Sequence, residues 1–354
     1  MTPELGLIEG FFGRPWSWED RHEAVRFLGP RGYRFYLYAP KADAFLRRRW
    51  QERFPAGEGK ALAGFAEACR AAGVRLGAGL SPFELHLHPG SDWQAPLAAK
   101  LDELDAAGIE DLALLFDDMR GDVADLAERQ AGIVHFAAER TKASRILCCP
   151  SYYSDDPILD VAFGERPPFY LEQLGRLLDP AIHIMWTGEE VVAREYSPGH
   201  LAGIATLLGR KPFLWDNYPV NDGSRMAQHL HLRAFTGRAA AIGQHLAGHG
   251  INLASQPVLS RIPALTLIDS YALGDAYEYG AAFDRAVAEV LGEKLAARVR
   301  RDLLTLEDRG RDRLGDRRAA LRERYAAFDH PAAREIVAWL DGAWDVTDEE
   351  VQTQ

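Results

Sequence analysis

A short apolar run, a polar or glycine-containing loop and a helical pattern follow one another eight times along this chain. The predicted strands cover residues 6–12, 34–40, 75–83, 111–118, 145–153, 181–188, 212–218 and 250–256. Helical patterns lie between them, for example at residues 17–29, 60–73, 93–108 and 197–209. The strands are almost continuously apolar, which is typical of parallel strands buried on both faces. The repeat therefore predicts an α/β fold of the closed (β/α)8 TIM-barrel type.

The barrel accounts for about three quarters of the 354 residues. An open doubly wound sheet is the alternative, but no GxGxxG motif follows the first strand. We expect residues 1–275 to form the catalytic barrel and residues 276–354 to form a small helical C-terminal region. Acidic and basic residues interleave densely in that region, which indicates a solvated helix face.

The composition limits the class of partner. A net charge of −11 and a pI near 5.5 argue against nucleic acid or an anionic membrane as the main partner, because both require positive potential. No apolar stretch approaches the roughly 20 residues of a membrane span. The 3 cysteines show no Cys/His metal-ligand spacing. We therefore expect a cytoplasmic protein with no metal and no cofactor.

In a TIM barrel the active site lies at the carboxyl ends of the strands, so the residues that follow each predicted strand carry the functional information. These positions are rich in aromatic, carboxylate and amide side chains. They include Glu9, Gly10, Lys41, Asp117, Asp118, Cys149, Tyr152, Tyr153, Trp215, Asn217 and Asp222. Flat apolar faces combined with directional polar groups are typical of a sugar-binding pocket.

The adjacent pair Asp117 and Asp118 follows the fourth predicted strand. Two neighbouring carboxylates in a partly dry site oppose each other's ionisation, so one of them can keep a proton near neutral pH and act as a general acid. The alternative is an aspartate pair that only caps a helix or lies in a loop. The polar residues at the other strand ends favour the catalytic interpretation.

Six motifs occur in order at these strand ends. They are EGFFGRPWSWEDR (residues 9–21), YLYAPKAD (36–43), LLFDDM (114–119), CPSYY (149–153), MWTGEEVV (185–192) and WDNYPVND (215–222). Together they resemble glycoside hydrolase family 84, which contains O-GlcNAcases and bacterial β-N-acetylglucosaminidases, over about residues 5–270. The resemblance implies hydrolysis of terminal β-linked N-acetylglucosamine with retention. It also implies an oxazoline intermediate formed by the acetamido oxygen of the substrate itself, so that no enzyme nucleophile is needed.

The resemblance assigns roles to individual residues. Asp117 would orient and polarise the acetamido N–H, and Asp118 would act as general acid and then as general base. Gly10 and Lys41 would contact sugar hydroxyls, and Asp222 would bind the hydroxyls at the far end of the sugar. The other implied substrate-binding residues are Cys149, Tyr153 and Trp215 around the acetyl group, Asn217 near the acetamido group, and Ser260, which aligns with a sugar-binding asparagine of the family.

The chain departs from the family in two places. Ser260 is shorter than the asparagine that it replaces, and the loop SPFELHLHPG (residues 81–90) is longer than the usual SPG. His86 and His88 in that loop resemble half of a metal site, but without a third ligand they are better interpreted as loop residues or leaving-group contacts.

Three functions remain open at this point. They are an exo-acting β-N-acetylglucosaminidase, a non-catalytic glycan-binding barrel, and a hydrolase that prefers another N-acetylhexosamine. The expected partner is a GlcNAc-bearing glycoconjugate or glycoprotein, whose aglycone (the group attached to the sugar) the sequence does not specify. Trp339 and Trp344 suit either the core of the C-terminal region or a homodimer contact.

Overall fold

A computed structural model of the chain describes residues 2–88, 90 and 92–346. Its centre is a closed barrel of parallel strands, in which each strand pairs with the next along the chain and β8 pairs with β1. The strands are β1 (Leu5–Glu9), β2 (Tyr33–Tyr38), β3 (Arg75–Leu80), β4 (Asp111–Leu115), β5 (Arg145–Cys149), β6 (His183–Trp186), β7 (Phe213–Asp216) and β8 (Gly248–Asn252). This arrangement confirms the predicted TIM barrel.

Helices surround the barrel and continue beyond it. They are α1 (Trp18–Leu28), α2 (Ala56–Ala71), α3 (Gln94–Ala106), α4 (Leu126–Arg140), α5 (Ile158–Phe163), α6 (Tyr170–Leu177), α7 (Pro198–Leu208), α8 (Arg261–Leu273), α9 (Tyr279–Leu303), α10 (Arg317–Ala326) and α11 (Pro331–Leu340). Ser17 and Asp20 form a reciprocal capping box at the start of α1, which satisfies two backbone N–H groups that the helix leaves unpaired.

Apolar strand residues and aromatic rings fill the barrel. A Cβ on Gly6 of β1 would lie 2.0 Å from the ring of Phe35 on β2, so the glycine makes room for that ring. Ion pairs close the amino-terminal end of the barrel, where they join Arg75 and Arg145 to Glu4 and Asp111. The core therefore leaves the carboxyl ends of the strands as the place for a cavity.

The C-terminal helices share the hydrophobic core of the barrel. The predicted boundary at residue 275 falls in the short 3-10 turn Gly274–Ala276, between α8 and α9. Trp339 is fully buried, and its indole N–H donates to the carbonyl oxygen of Ala227 at 3.0 Å. Trp344 is partly buried against the same core. The last residues of the predicted C-terminal region, 347–354, lie outside the described residues.

Within the described ranges, no helix is both long enough and apolar enough to cross a membrane.

Candidate active site

A cavity with about 550 Å³ of empty space, part of which is open to solvent, lies at the carboxyl ends of the strands. Nine of the ten predicted site residues line it, and Ser260 does not. The predicted residues in the wall are Gly10, Lys41, Asp117, Asp118, Cys149, Tyr153, Trp215, Asn217 and Asp222. The sequence prediction missed Phe12, Thr187, Val191, Val192, Val220 and Asn252.

Asp117 and Asp118 lie just beyond β4, which ends at Leu115. The ammonium group of Lys41 contacts both carboxylates, directly hydrogen-bonding Asp117 and lying 3.1 Å from Oδ2 of Asp118. Asp117 is 6 % exposed, and its Oδ1 is buried without a hydrogen-bond partner among the described residues. A buried acceptor of this kind is costly unless a ligand supplies a donor.

The pKa of Asp117 is raised above its usual value. Burial is the largest cause, the neighbouring ammonium of Lys41 opposes it, and the negative charge of Asp118 adds to it. Burial also acts against the charge of Lys41, but the two aspartates raise the pKa of that ammonium. Burial and the negative charge of Asp118 therefore both favour the protonated form of Asp117.

Asp118 has a left-handed backbone, with φ of 56°, a conformation that is uncommon for a residue with a side chain. The hydroxyl of Tyr153 donates to Oδ1 of Asp118 at 3.3 Å. This left-handed turn lies beyond the end of β4 at Leu115. Both carboxyl groups line one cavity.

A chain of hydrogen bonds links the ends of β1, β7 and β8. The side-chain oxygen of Asn217 accepts from the indole N–H of Trp215 at 3.0 Å and from the amide group of Asn252 at 3.0 Å. Asn252 in turn accepts from the backbone N–H of Gly10 at 3.1 Å. The amide group of Asn217 donates to the carbonyl oxygen of Val191 at 2.8 Å. These contacts fix the orientation of the Trp215 ring in the cavity wall.

Asp222 is buried at the edge of the cavity, where its Oδ2 accepts from the backbone N–H of Phe12 at 2.7 Å. Burial raises the pKa of this carboxyl to about 6, against the opposing effect of the Phe12 N–H. At pH 7 the group is mostly ionised and can accept hydrogen bonds from sugar hydroxyls.

Ser260, which was predicted to bind the sugar, does not line the cavity. Its hydroxyl is hydrogen-bonded to the backbone N–H and carbonyl of Ala254, and the residue precedes α8. The side chain is thus used to hold the loop after β8, and Asn252 at the end of β8 lines the cavity. Asn252 lies inside the predicted eighth strand, residues 250–256, whereas the observed β8 ends at this residue, so the strand-end argument did not identify it.

The rim contains the other polar residues noted in the sequence. Glu189 and Glu190 are exposed. His86 is buried in the longer loop after β3, with Nε2 at 2.6 Å from the carbonyl oxygen of Arg120. Pro89 of that loop lies outside the described residues. The described residues contain no group of three or more His, Cys, Asp or Glu side chains placed to hold a metal ion.

The cavity thus combines a carboxylate pair, an open buried acceptor, an aromatic wall and a carboxylate at the far edge. Such a set can bind an amide N–H, a small apolar group and hydroxyls at once, and can transfer a proton to a leaving oxygen.

Comparison with known proteins identifies the family of this chain. A protein-family model described as beta-N-acetylglucosaminidase matches residues 5–306. The rat (Rattus norvegicus) and mouse (Mus musculus) proteins named protein O-GlcNAcase are each 29% identical to this chain over 252 residues, which is 69% of this chain and 27% of theirs. The chain therefore spans about a quarter of the length of these curated relatives.

A solved structure of a mutant O-GlcNAc hydrolase from Thermobaculum terrenum superposes with a TM-score of 0.81. The alignment covers 96% of this chain and 81% of that chain at 24% identity, and this similarity supports the fold. Because the family model spans most of the chain, the protein belongs to the beta-N-acetylglucosaminidases of glycoside hydrolase family 84 that its strand-end motifs resemble.

Proposed function

We propose that this protein removes terminal β-linked N-acetylglucosamine with retention of configuration, by substrate-assisted catalysis. The observation that carries the proposal is the open acceptor Oδ1 of Asp117, which is buried in the cavity wall beside a second carboxylate. An acetamido N–H is a donor of the right kind to satisfy it. Retaining glycosidases with an enzyme nucleophile place two carboxyl groups about 5–5.5 Å apart across the bond, and substrate-assisted families are exceptions to that arrangement.

In the first step the acetamido oxygen attacks the anomeric carbon, and the bond between that carbon and the leaving oxygen breaks. Asp118 gives its proton to the leaving oxygen, while Asp117 accepts a hydrogen bond from the acetamido N–H. This hydrogen bond favours the charged form of Asp117. The N–H proton stays on nitrogen, so the product of the step is a protonated oxazoline (an oxazolinium ion) fused to the sugar.

In the second step water attacks the anomeric carbon, and the bond from that carbon to the oxazoline oxygen breaks. Asp118 takes the proton from water, which returns it to its starting protonation state. The hydroxyl of Tyr153, 3.3 Å from Oδ1 of Asp118, supports the negative charge that Asp118 carries between the two steps. The acetamido group is regenerated, and β-N-acetylglucosamine leaves.

Sugar recognition follows from the cavity wall. We assign the acetyl methyl group to the apolar corner formed by Cys149, Tyr153 and Trp215, and the far hydroxyls to Asp222. Burial raises the pKa of the Cys149 thiol, so this side chain stays neutral and acts as an apolar surface. Asn252 replaces Ser260 in the proposed binding set.

The proposal extends to the natural substrate of the protein, its compartment and its oligomeric state. The name of the curated relatives supports O-GlcNAc-modified protein as a substrate class, beside smaller GlcNAc-bearing glycoconjugates. The cysteines in the described ranges are buried and unbridged, which supports a reducing compartment such as the cytoplasm, and a bacterial source stays a prediction. A homodimer stays a prediction, which now depends on Trp344 because Trp339 is buried within its own chain.

The proposal is tested by release of 4-nitrophenol from its β-N-acetylglucosaminide and β-N-acetylgalactosaminide by the wild type, Asp118→Ala and Asp122→Ala. Asp122 is an exposed acid in the same loop and serves as the control. We expect glucosaminide turnover by the wild type and the control, and a loss of about 10²–10⁴-fold in Asp118→Ala. Azide should restore part of the lost rate and give a β-glycosyl azide. A folded wild type that releases no nitrophenol from either sugar would refute the proposal.

A further inference from the structure

The sequence RRRW (residues 47–50) follows the motif that contains Lys41, and its three arginines have different surroundings. Arg48 is exposed, and Arg49 is paired with Glu52 at the surface. Arg47 is only 7 % exposed, although no carboxylate of the described residues lies within 4.0 Å of its guanidinium nitrogens. A buried arginine without a direct ion pair is unusual and calls for a specific role.

Arg47 faces the catalytic aspartates from the side of β2. Its Nη2 donates to the backbone carbonyl oxygen of Asp118 at 3.2 Å, and its Nε is buried without a partner in the described part of the chain. Its guanidinium lies over the rings of Phe12 and Phe83, at 5.8 and 5.0 Å from their centroids. The two rings hold the guanidinium beside the aspartates without neutralising its charge.

The backbone that Arg47 contacts is held in a left-handed turn. A non-glycine residue in this conformation costs of order 1 kcal/mol or more, and it persists only where surrounding contacts determine it. Two further contacts hold the following residues. The backbone N–H of Glu84 lies 3.1 Å from the sulfur of Met119, and His86 hydrogen-bonds the carbonyl oxygen of Arg120.

We propose that Arg47 is a positioning residue for the reaction, which holds the backbone of Asp118 in its left-handed turn and keeps a positive charge facing the aspartate pair. The inference rests on the proposed function, because it assigns to Arg47 the placement of the general acid. The longer loop after β3 supports the same turn through His86, which gives this loop a role other than metal binding.

Several titratable groups surround the aspartate pair that Arg47 faces. Its positive charge favours ionisation of Asp117. The other titratable or charged side chains that face the pair are Lys41 after β2, Cys149 and Tyr153 after β5, and Asp222 after β7. Lys41 and Arg47 are the two cations among these groups. Without the positive charge of Arg47, the pKa of Asp117 should rise in the variant.

The test compares Arg47→Met, Arg47→Lys and the control Arg48→Met. Arg48 also lies over the ring of Phe83, at 4.6 Å from its centroid, but it is exposed. We would measure kcat and KM against pH for aryl β-N-acetylglucosaminides whose leaving groups range from 4-methoxyphenol to 2,4-dinitrophenol. Circular dichroism and thermal melting would establish that each variant is folded.

For Arg47→Met we expect kcat to fall about 10²-fold with 4-methoxyphenol as leaving group and much less with 2,4-dinitrophenol, which needs little protonation. The acidic limb of kcat/KM should move to higher pH. Arg47→Lys should keep the acidic limb, because it keeps the charge, and should show an intermediate dependence on leaving group. Arg48→Met should match the wild type.

The inference would be overturned if Arg47→Met lowered kcat equally for all leaving groups and left the acidic limb of kcat/KM at the wild-type pH. Wild-type behaviour of Arg47→Met would overturn it as well. Carbon-13 NMR titration of Asp117 in the wild type and Arg47→Lys and Arg47→Met variants requires no turnover. An upward shift in the pKa of Asp117 confined to Arg47→Met is expected, and no shift would contradict the role of the charge. Lack of wild-type activity would instead refute the proposed function, while the titration still tests Arg47.

Discussion

Gly10 and Trp215 are in such close contact that the wall of the cavity depends on the absence of a side chain at residue 10. A Cβ added there would lie 2.3 Å from Cζ2 and 2.7 Å from Cη2 of Trp215, closer than real Cβ contacts. The backbone N–H of Gly10 is also fixed by Asn252, so the strand end cannot move away easily. The Trp215 ring, and with it the proposed acetyl pocket, is the part that must shift.

Gly10→Ala should therefore lower kcat/KM for 4-nitrophenyl β-N-acetylglucosaminide by about 10²-fold, since displacement of a positioning group by about 1 Å costs this much. The protein should remain folded by circular dichroism. Gly57→Ala is the matched control, because nothing lies within 4 Å of a Cβ added to Gly57 in the first turn of α2. Equal activity of the two variants would show that the Trp215 ring need not be held in place.

Single residues also mark where sequence reasoning succeeded. The strand-end rule identified nine residues that line one cavity in the structure. It could not identify Arg47, because a run of three arginines in sequence is typical of a solvated surface. Ser260 came from the alignment with the family, and the loop between β8 and α8 has no internal pattern that fixes such an alignment. Burial of a charged residue depends on tertiary contacts that no local pattern contains.

At the scale of elements, all eight predicted strands are present, because a continuous apolar run bounded by loops is a strong signal. Their carboxyl ends were predicted too long. The window 111–118 includes both aspartates, whereas β4 ends at Leu115. The left-handed φ of Asp118 cannot continue a strand, and no composition rule predicts it. Errors of this kind fall where function requires departures from regular structure.

The loop after β8 is held by a helix from the C-terminal region. Glu335 of α11 accepts from the backbone N–H groups of Val258 at 2.8 Å and Leu259 at 2.9 Å. Burial raises the pKa of this carboxyl to about 7 against these two donors, with smaller effects of Arg261 and Asp20. The C-terminal helices thus support the loop that follows Asn252, and we propose that they form one structural unit with the barrel.

The raised pKa makes this contact dependent on pH. Between pH 4.5 and 7 the folded state holds a proton on Glu335 that the unfolded chain has lost, so the contribution to stability falls as pH rises. From pH 5 to pH 8 we expect Glu335→Gln to gain roughly 2 kcal/mol in free energy of unfolding relative to the wild type. Urea unfolding at both pH values measures the difference, with the exposed Glu323→Gln of α10 as control. Parallel changes in all three proteins would contradict the raised pKa.

At the scale of the whole molecule, the ion pairs that stabilise the barrel and the residues proposed for catalysis lie at opposite ends of the strands. Ion pairs close the amino end of the strands, whereas the carboxyl end collects the carboxylates, amides and aromatic rings of the cavity. This division is general in TIM barrels, and it is why the strand-end rule worked here. The net charge of −11 is compatible with a neutral sugar in the cavity, and the charged groups nearest the reaction are the two aspartates and the cations that face them.

The central claim is that the acetamido oxygen of the substrate is the nucleophile. It is tested most directly by kcat/KM for 4-nitrophenyl glycosides in which the N-acetyl group carries none, one, two or three fluorine atoms. Fluorine withdraws electrons from that oxygen, so we predict a steep, progressive fall in kcat/KM along the series. Asp118→Ala should show the same dependence at a lower overall rate. Rates that do not change with fluorination would contradict participation by the acetamido group and require a nucleophile from the protein or from water.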